Sequence, residues 1–248
     1  MLIIIFILGL VIGSFINCLV YRLNQEKSLL GLFLGRSYCP KCRKSLNWYD
    51  NIPVLSFILL HGRCRYCQKQ IAYHYPLVEL TTAILSVVLY YFSFLSLGNW
   101  LIFAYQLFIL YVFIALFLSD LLYYTLPDLL IYPTCLIVGA YLISTGQWIS
   151  FLSGIVSLLF FLFLVLITRF KGMGLGDVKL AFLMGLFLGY PNIILAFFLA
   201  FLTGAIWGVI LILLGKKKFK SRIPFGPFLA LGTWLAFFWT DKIWPFFL

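Results

Sequence analysis

Eight stretches of almost uncharged apolar sequence run along this chain, at residues 2–21, 77–97, 100–119, 128–146, 149–168, 178–190, 192–214 and 224–241. A bilayer's hydrocarbon core asks for about 20 apolar residues per helix, or somewhat fewer where neighbours shield the segment. Inside hydrocarbon each backbone N–H and C=O must be satisfied within the protein, so stretches of this length dictate helices. The composition agrees. With 64% of residues hydrophobic and 10% charged, there is too little polar surface for a water-facing fold. The expected fold is an all-α polytopic membrane protein of about eight transmembrane helices, the sixth being the shortest.

The first apolar run, Met1 to Val20, has no basic residue before it and no small-x-small site after it, and Arg22 is the first positive charge. A cleaved secretory signal shows the reverse order, so the run reads as an uncleaved anchor helix.

Positive charge sets the orientation. With the N-terminus outside, the cytosolic segments hold Arg22, Lys27, Arg36, Lys41, Arg43, Lys44, Arg63, Arg65 and Lys69, then Arg169, Lys171, Lys179, Lys216, Lys217, Lys218, Lys220 and Arg222. Only Lys242 is left outside, and the turns near Ser96–Asn99, Thr145–Gln147 and Tyr190–Asn192 carry no charge. The net charge of +11 is therefore a topology signal, and it implies membrane lipid as partner and no nucleic acid. The reading divides the chain into a first transmembrane helix (1–21), a cytosolic polar segment (22–76) and a transmembrane bundle (77–248). No internal repeat and no low-complexity linker is evident.

Ionisable groups near membrane depth are costly and raise a functional question by default. Asp120 follows the third stretch, Asp128 opens the fourth and Asp177 opens the sixth, so the topology puts all three at the cytosolic boundary. Asp128 follows Pro127 at a helix start, where a carboxylate caps free N–H groups and meets the positive dipole end. Asp177 follows Gly172-Met173-Gly174-Leu175-Gly176, a run that capping alone does not require and that lets another backbone approach closely. Asp120 sits at a helix C-terminus, where the dipole disfavours an anion. Two carboxylates suffice for peptide hydrolysis without metal or nucleophile: one, ionised, takes a proton from water while the other, protonated, donates to the scissile carbonyl and leaving amine. A serine or cysteine nucleophile in the spans has no obvious imidazole base, because both histidines, His61 and His74, lie in the polar segment.

Cys39-Pro40-Lys41-Cys42 and Cys64-Arg65-Tyr66-Cys67 form two Cys-x-x-Cys pairs in that segment. Four thiolates in paired knuckles suit a closed tetrahedral zinc site, at a separation slightly beyond that usual in zinc ribbons. A cytosolic setting favours metal over disulfide. With four sulfur ligands the zinc is structural, holding together a segment too small for a strong core. Cys18 and Cys135 read as packing residues in apolar spans.

These residues together resemble the prepilin peptidase family of GxGD aspartyl proteases, the type IV prepilin leader peptidases. Gly13-Ser14-Phe15, Asn17 and Arg22 look like the family's first-helix motif. The paired knuckles, Asp50-Asn51-Ile52-Pro53, and Tyr75-Pro76 with Glu79 follow in the family's order. Asp120 with Leu126-Pro127-Asp128, Gly174-Leu175-Gly176-Asp177, and Pro224-Phe225-Gly226-Pro227 complete it. GxGD alone is weak; the ordered set, from residue 13 to 227, is specific. One departure is His74, where the family is expected to carry Arg.

The resemblance implies Asp120 and Asp177 as the catalytic pair, with Gly174, Gly176 and Asp128 in supporting roles. It implies cleavage of the basic leader of type IV prepilins or pseudopilins at the cytosolic face of the bacterial plasma (inner) membrane. It also implies N-methylation of the new N-terminus with S-adenosylmethionine. No glycine-rich loop after a strand is present, so a Rossmann methyltransferase is not expected, and any methyl-donor site falls to the cytosolic segment and adjoining helix ends. The carboxylates, including Asp50 and Glu79, or backbone groups are expected to receive the basic leader locally. A presenilin-like protease shares GxGD but leaves the knuckles unexplained. A transporter or zinc-bearing membrane scaffold, the alternative from another class, is disfavoured because transport sites sit near the midplane.

Overall fold

The computed structural model describes residues 1–25, 37–95, 98–169, 173–215 and 223–243, with side chains described to 239. Lys27, Arg36, Lys171, Lys216, Lys217, Lys218, Lys220 and Arg222, the turn residue Ser96, the side chain of Lys242 and Gly172 of the glycine run lie outside the described residues.

Each of the eight apolar stretches coincides with a helix. These are α1 (Leu2–Gln25), α3 (His74–Leu89, continued by a wider turn over Tyr90–Phe94), α4 (Trp100–Tyr123) and α5 (Asp128–Thr145). They continue with α6 (Trp148–Ile167), α7 (Leu175–Leu188), α8 (Asn192–Leu213) and α9 (Gly226–Ile243). A short α2 (Leu55–Leu59) and a 3₁₀ turn (Trp48–Asn51) lie in the polar segment. Among the described residues no strand forms; only two isolated bridges occur, Tyr38 with Ser45 and Arg63 with Gln70. Among the described residues six helices, α1, α3, α4, α5, α6 and α8, are long and apolar enough to cross a bilayer.

α7 has 14 residues and so extends only about 21 Å, short of a hydrocarbon core of about 30 Å. Its surroundings explain how so short an apolar helix persists. Val178, Leu180, Ala181, Leu183, Met184 and Leu186 are all buried, on every side of the helix. Other apolar helices look different: Leu101 on α4 and Leu136 on α5 are 82% and 75% exposed.

Contacts divide the chain into two compact units, Met1–Ala115 and Leu116–Leu248, and each is described by itself. In the first, α1 packs on α3 through Gly9 and Gly13. A Cβ on Gly13 would stand 2.7 Å from Glu79 Cα, and one on Gly9 2.6 Å from Ala83 Cα. Small residues four apart permit this approach where no hydrophobic effect drives helices together. In the second unit, α7 is flanked by α5, α6 and α9.

Candidate active site and metal cluster

The end of α4, the start of α5, the start of α7 and the start of α9 carry the second unit's charged site. Asp120 and Asp177 are 7% and 8% exposed, so each carboxylate needs partners within the protein. Asp120 Oδ2 accepts the Gly226 N–H at 2.8 Å. Asp177 Oδ2 accepts the Gly174 N–H at 3.1 Å, and the Asp177 N–H donates back to Gly174 O at 3.2 Å, closing the first turn of α7. Asp120 lies near enough for its charge to be felt at Asp177. Residues 57 positions apart in sequence are thereby brought into one electrostatic site.

The glycines of the two motifs differ in what they admit. A Cβ on Gly226 would lie 2.7 Å from Asp120 Oδ2, inside the carboxylate's own space. A Cβ on Gly176 would lie 3.2 Å from the Leu126 side chain, so this glycine lets α7 close on the Leu126-Pro127-Asp128 turn. Gly174 is less constrained: its nearest atom would be Asp177 Oδ2 at 3.9 Å.

Asp128 opens α5 behind Pro127, as its sequence context indicates. Its carboxylate also takes Lys179 Nζ at 2.7 and 2.9 Å, and Lys179 stands 5.2 Å over the Tyr132 ring. Lys179 entered the sequence reading only as a topology charge. Its partner lies 51 residues earlier, and nothing short of the fold pairs them. The N–H of Gly226 is likewise invisible in sequence as the donor to Asp120, although its Pro-Phe-Gly-Pro context marks the place.

In the first unit the Sγ atoms of Cys39, Cys42, Cys64 and Cys67 all lie within 4.8 Å of one another, Cys39 and Cys67 at 4.0 Å. Zinc–sulfur bonds of about 2.3 Å in a tetrahedron set sulfurs about 3.8 Å apart, so the four thiols fit one metal ion. Both knuckles share a backbone pattern. The Cys39 N–H donates to Lys44 O and the Arg43 N–H to Cys39 O; the Cys64 N–H donates to Lys69 O and the Gln68 N–H to Cys64 O. Arg43 and Gln68 both adopt left-handed backbone, φ 58° and 55°, and each knuckle carries one of the two isolated bridges. The segment is thus a structural duplication, although little beyond the cysteines repeats in sequence. Burial pushes the Cys39 thiol up, but the N–H groups of Cys42 and Lys41 and the neighbouring thiols outweigh it and bring it down to about 7.

The other motif carboxylates are engaged internally. Asp50 has a side chain only 2% exposed and takes Arg65 Nε at 2.8 Å, the Asn47 N–H at 3.2 Å and the Tyr66 hydroxyl at 3.4 Å. Glu79, 8% exposed, accepts the Val54 N–H at 2.7 Å. That contact holds Val54 at φ 61°, an unusual place for a β-branched residue. Neither carboxylate is disposed as the expected receiver of a basic leader. Asn17 Nδ2 donates to Tyr75 O at 3.1 Å, joining the first-helix motif to the Tyr75-Pro76 motif.

A polytopic helical protein with two buried, interacting aspartates and a four-thiol cluster is the class that this geometry defines. Comparison with known proteins makes the assignment specific. Residues 7–93 match the bacterial peptidase A24 N-terminal domain and residues 107–209 the type IV leader peptidase family. A prepilin leader peptidase/N-methyltransferase of Aeromonas salmonicida is 35% identical, over 96% of this chain and 91% of its own. One from Pseudomonas aeruginosa is 34% identical over 96% and 90%. One from Bacillus subtilis is 33% identical over 100% and 98%. The chain belongs to the type IV leader peptidase family. No solved structure matches it.

Proposed function

We propose that this chain is a membrane aspartic endopeptidase that removes the basic leader of type IV prepilins or pseudopilins and then N-methylates the new N-terminus. The observation that carries the peptidase half is the pair Asp120 and Asp177: buried, held by the Gly226 and Gly174 N–H groups, and near enough that the charge of Asp120 is felt at Asp177. One carboxylate, ionised, takes a proton from water as its oxygen attacks the scissile carbonyl carbon. The other, protonated, gives its proton toward that carbonyl. Collapse of the tetrahedral species breaks the C–N bond, and the amine leaves with a proton from the pair. Backbone N–H groups fix the carboxylates, so little reorganisation is needed when charge develops. Gly174, Gly176 and Asp128 support this arrangement by letting α7 close on the start of α5.

On this reading the eight helices are eight spans with the N-terminus outside and the site lies at the cytosolic face of a bacterial inner membrane, which the one-sided distribution of Lys and Arg along the sequence supports. Residues 22–76 then form a cytosolic zinc-binding segment, the ion held by Cys39, Cys42, Cys64 and Cys67 in a structural role. S-adenosylmethionine supplies an electrophilic methyl: the neutral N-terminal amine forms a C–N bond as the C–S bond breaks, and sulfur keeps the electron pair. The resemblance and the names of the relatives support this second half.

The test is cleavage of a prepilin-like substrate by membranes carrying wild type, Asp120→Asn or Asp177→Asn, read by mass spectrometry. Leader loss with wild type only, and one added methylene on the product when the methyl donor is present, is the expected result. Equal cleavage by either variant, at equal expression, overturns the pair's role.

A further inference from the structure

We infer that a polar concavity at the C-terminal end of α1, lined by Tyr21, Gln25, Tyr38, Pro40 and Arg43, binds S-adenosylmethionine. This rests on the methylation half of the proposed function, and assigns residues to it.

The concavity has a volume of about 440 Å³, within the range of small-ligand pockets, and lies wholly in the first unit. Three features of the ligand find counterparts there. The sulfonium is a cation, and cations are attracted to tyrosine faces. Tyr21 and Tyr38 meet edge to face, with ring centroids 6.0 Å apart and planes at 75°, so the two rings present differently oriented surfaces rather than one stacked pair. The site also adjoins the last turn of α1, which ends at Gln25. A helix C-terminus favours positive charge and disfavours negative, which suits a sulfonium and opposes a polyphosphate. The ligand's carboxylate calls for a forked donor, and Arg43 is the guanidinium on the rim. The adenine ring can lie on an aromatic face, as bases do on protein aromatics.

The local backbone makes Arg43 a positioned group. It follows Cys42, its φ is 58°, and its N–H is fixed on Cys39 O at 2.8 Å. The first knuckle therefore sets where the guanidinium starts, while the second carries Gln68 at the matching place. A metal-held knuckle beside the methyl-donor site also gives the thiol cluster a functional consequence that involves no chemistry at the metal.

The experiment uses the full-length protein in detergent with its metal retained. Binding of tritiated S-adenosylmethionine is measured by equilibrium dialysis, with S-adenosylhomocysteine and ATP as competitors, and ultraviolet crosslinking of the wild type is mapped by peptide sequencing. Arg43→Gln and Tyr38→Ala are each expected to weaken binding at least tenfold, and Tyr38→Phe to preserve it, with metal content and leader cleavage unchanged. Crosslinks are expected on the peptides bearing Tyr21 or Tyr38. Wild-type binding that both variants retain, crosslinks confined elsewhere, or displacement by ATP as effective as by S-adenosylhomocysteine would each overturn the site. No binding by a wild type that cleaves leaders would instead remove the methylation half of the proposed function, and this inference with it.

Discussion

Lys179 Nζ reaches both carboxylate oxygens of Asp128, at 2.7 and 2.9 Å, tying the first turn of α5 to the first turn of α7 two residues after Asp177. Both side chains remain partly exposed, at 32% and 54%, so water screens the pair and its worth is about 0.2–1 kcal/mol. That is too little to decide whether the bundle folds, yet enough to bias how α7 presents Asp177.

Asp128→Asn and Lys179→Met are therefore expected to slow leader cleavage by less than about tenfold, with substrate KM and membrane insertion unchanged. The double variant, Asp128→Asn with Lys179→Met, should cleave faster than the product of the single effects predicts, because the cycle isolates the pairwise interaction. Single-turnover rates on one prepilin substrate check this. A loss at Asp128→Asn as complete as at Asp120→Asn would make Asp128 part of the chemistry instead.

The motif glycines should rank by space rather than by motif membership. Gly226→Ala drives a methyl to 2.7 Å from Asp120 Oδ2, an overpacking of about 1–3 kcal/mol at a carboxylate proposed to react, so cleavage should fall about tenfold or more. Gly176→Ala meets only the flexible Leu126 side chain at 3.2 Å and should cost less. Gly174→Ala finds its nearest atom at 3.9 Å, and its backbone at φ −91°, ψ 161° is open to alanine. Activity within about threefold of wild type is expected there. Initial rates at equal expression test the order, and Gly174→Ala as the worst of the three would refute it.

How far the chain could be read from sequence differs between fold and site. Among the described residues each of the eight apolar stretches coincides with a helix, six of them long and apolar enough to cross a bilayer, because a bilayer forces helix on any apolar run of that length. Boundaries shifted by up to a few residues where polar ends continue the turn: α1 runs on through Arg22 to Gln25, and α3 begins at His74. Asp120, Asp177 and the four cysteines stood out as costly or reactive groups in improbable places. Their partners did not. Gly226 donates through its backbone, which every residue possesses, and Lys179 looked like one more cytosolic charge. The duplicated knuckle was hidden for the same reason: its repeat is written in N–H to C=O bonds and left-handed φ at Arg43 and Gln68, not in side chains. Asp50 and Glu79 show the converse. As carboxylates in and beside a basic segment they suggested leader binding, whereas in the fold both are buried and take internal donors.

Metal removal offers an independent check on the first unit. Cys39→Ser and Cys64→Ser replace the two buried thiols of the cluster, and each is expected to lower zinc affinity by more than the about 10–100-fold lost when an outer partner of a ligand is removed. Because thiolates bind and thiols do not, zinc should also be released as pH falls. A chromophoric chelator follows the release. Limited proteolysis should then cut between Ser37 and Ile71, while the aspartate pair of the second unit still hydrolyses a short peptide substrate. Undiminished zinc content in Cys64→Ser would rule out the four-sulfur site.

Asp50 provides the sharpest contrast between binding and architecture. Its carboxylate joins Arg65, from within the second knuckle, to the Asn47 N–H and the Tyr66 hydroxyl, while Arg65 also lies 5.0 Å over the Tyr49 ring. The hydrogen bond to Asp50 holds the Arg65 guanidinium above its usual pKa, so Arg65 keeps its charge across the physiological range. Asp50→Asn keeps the shape but removes the charge that Arg65 answers. The turn Trp48–Asn51 should loosen from the knuckle, seen as faster proteolysis near Tyr49 and faster metal release, with KM for a basic-leader substrate unchanged. Should KM rise in proportion to the number of basic residues in the leader, with proteolysis unaltered, Asp50 would be a substrate contact after all. The internal network would then be what the leader displaces.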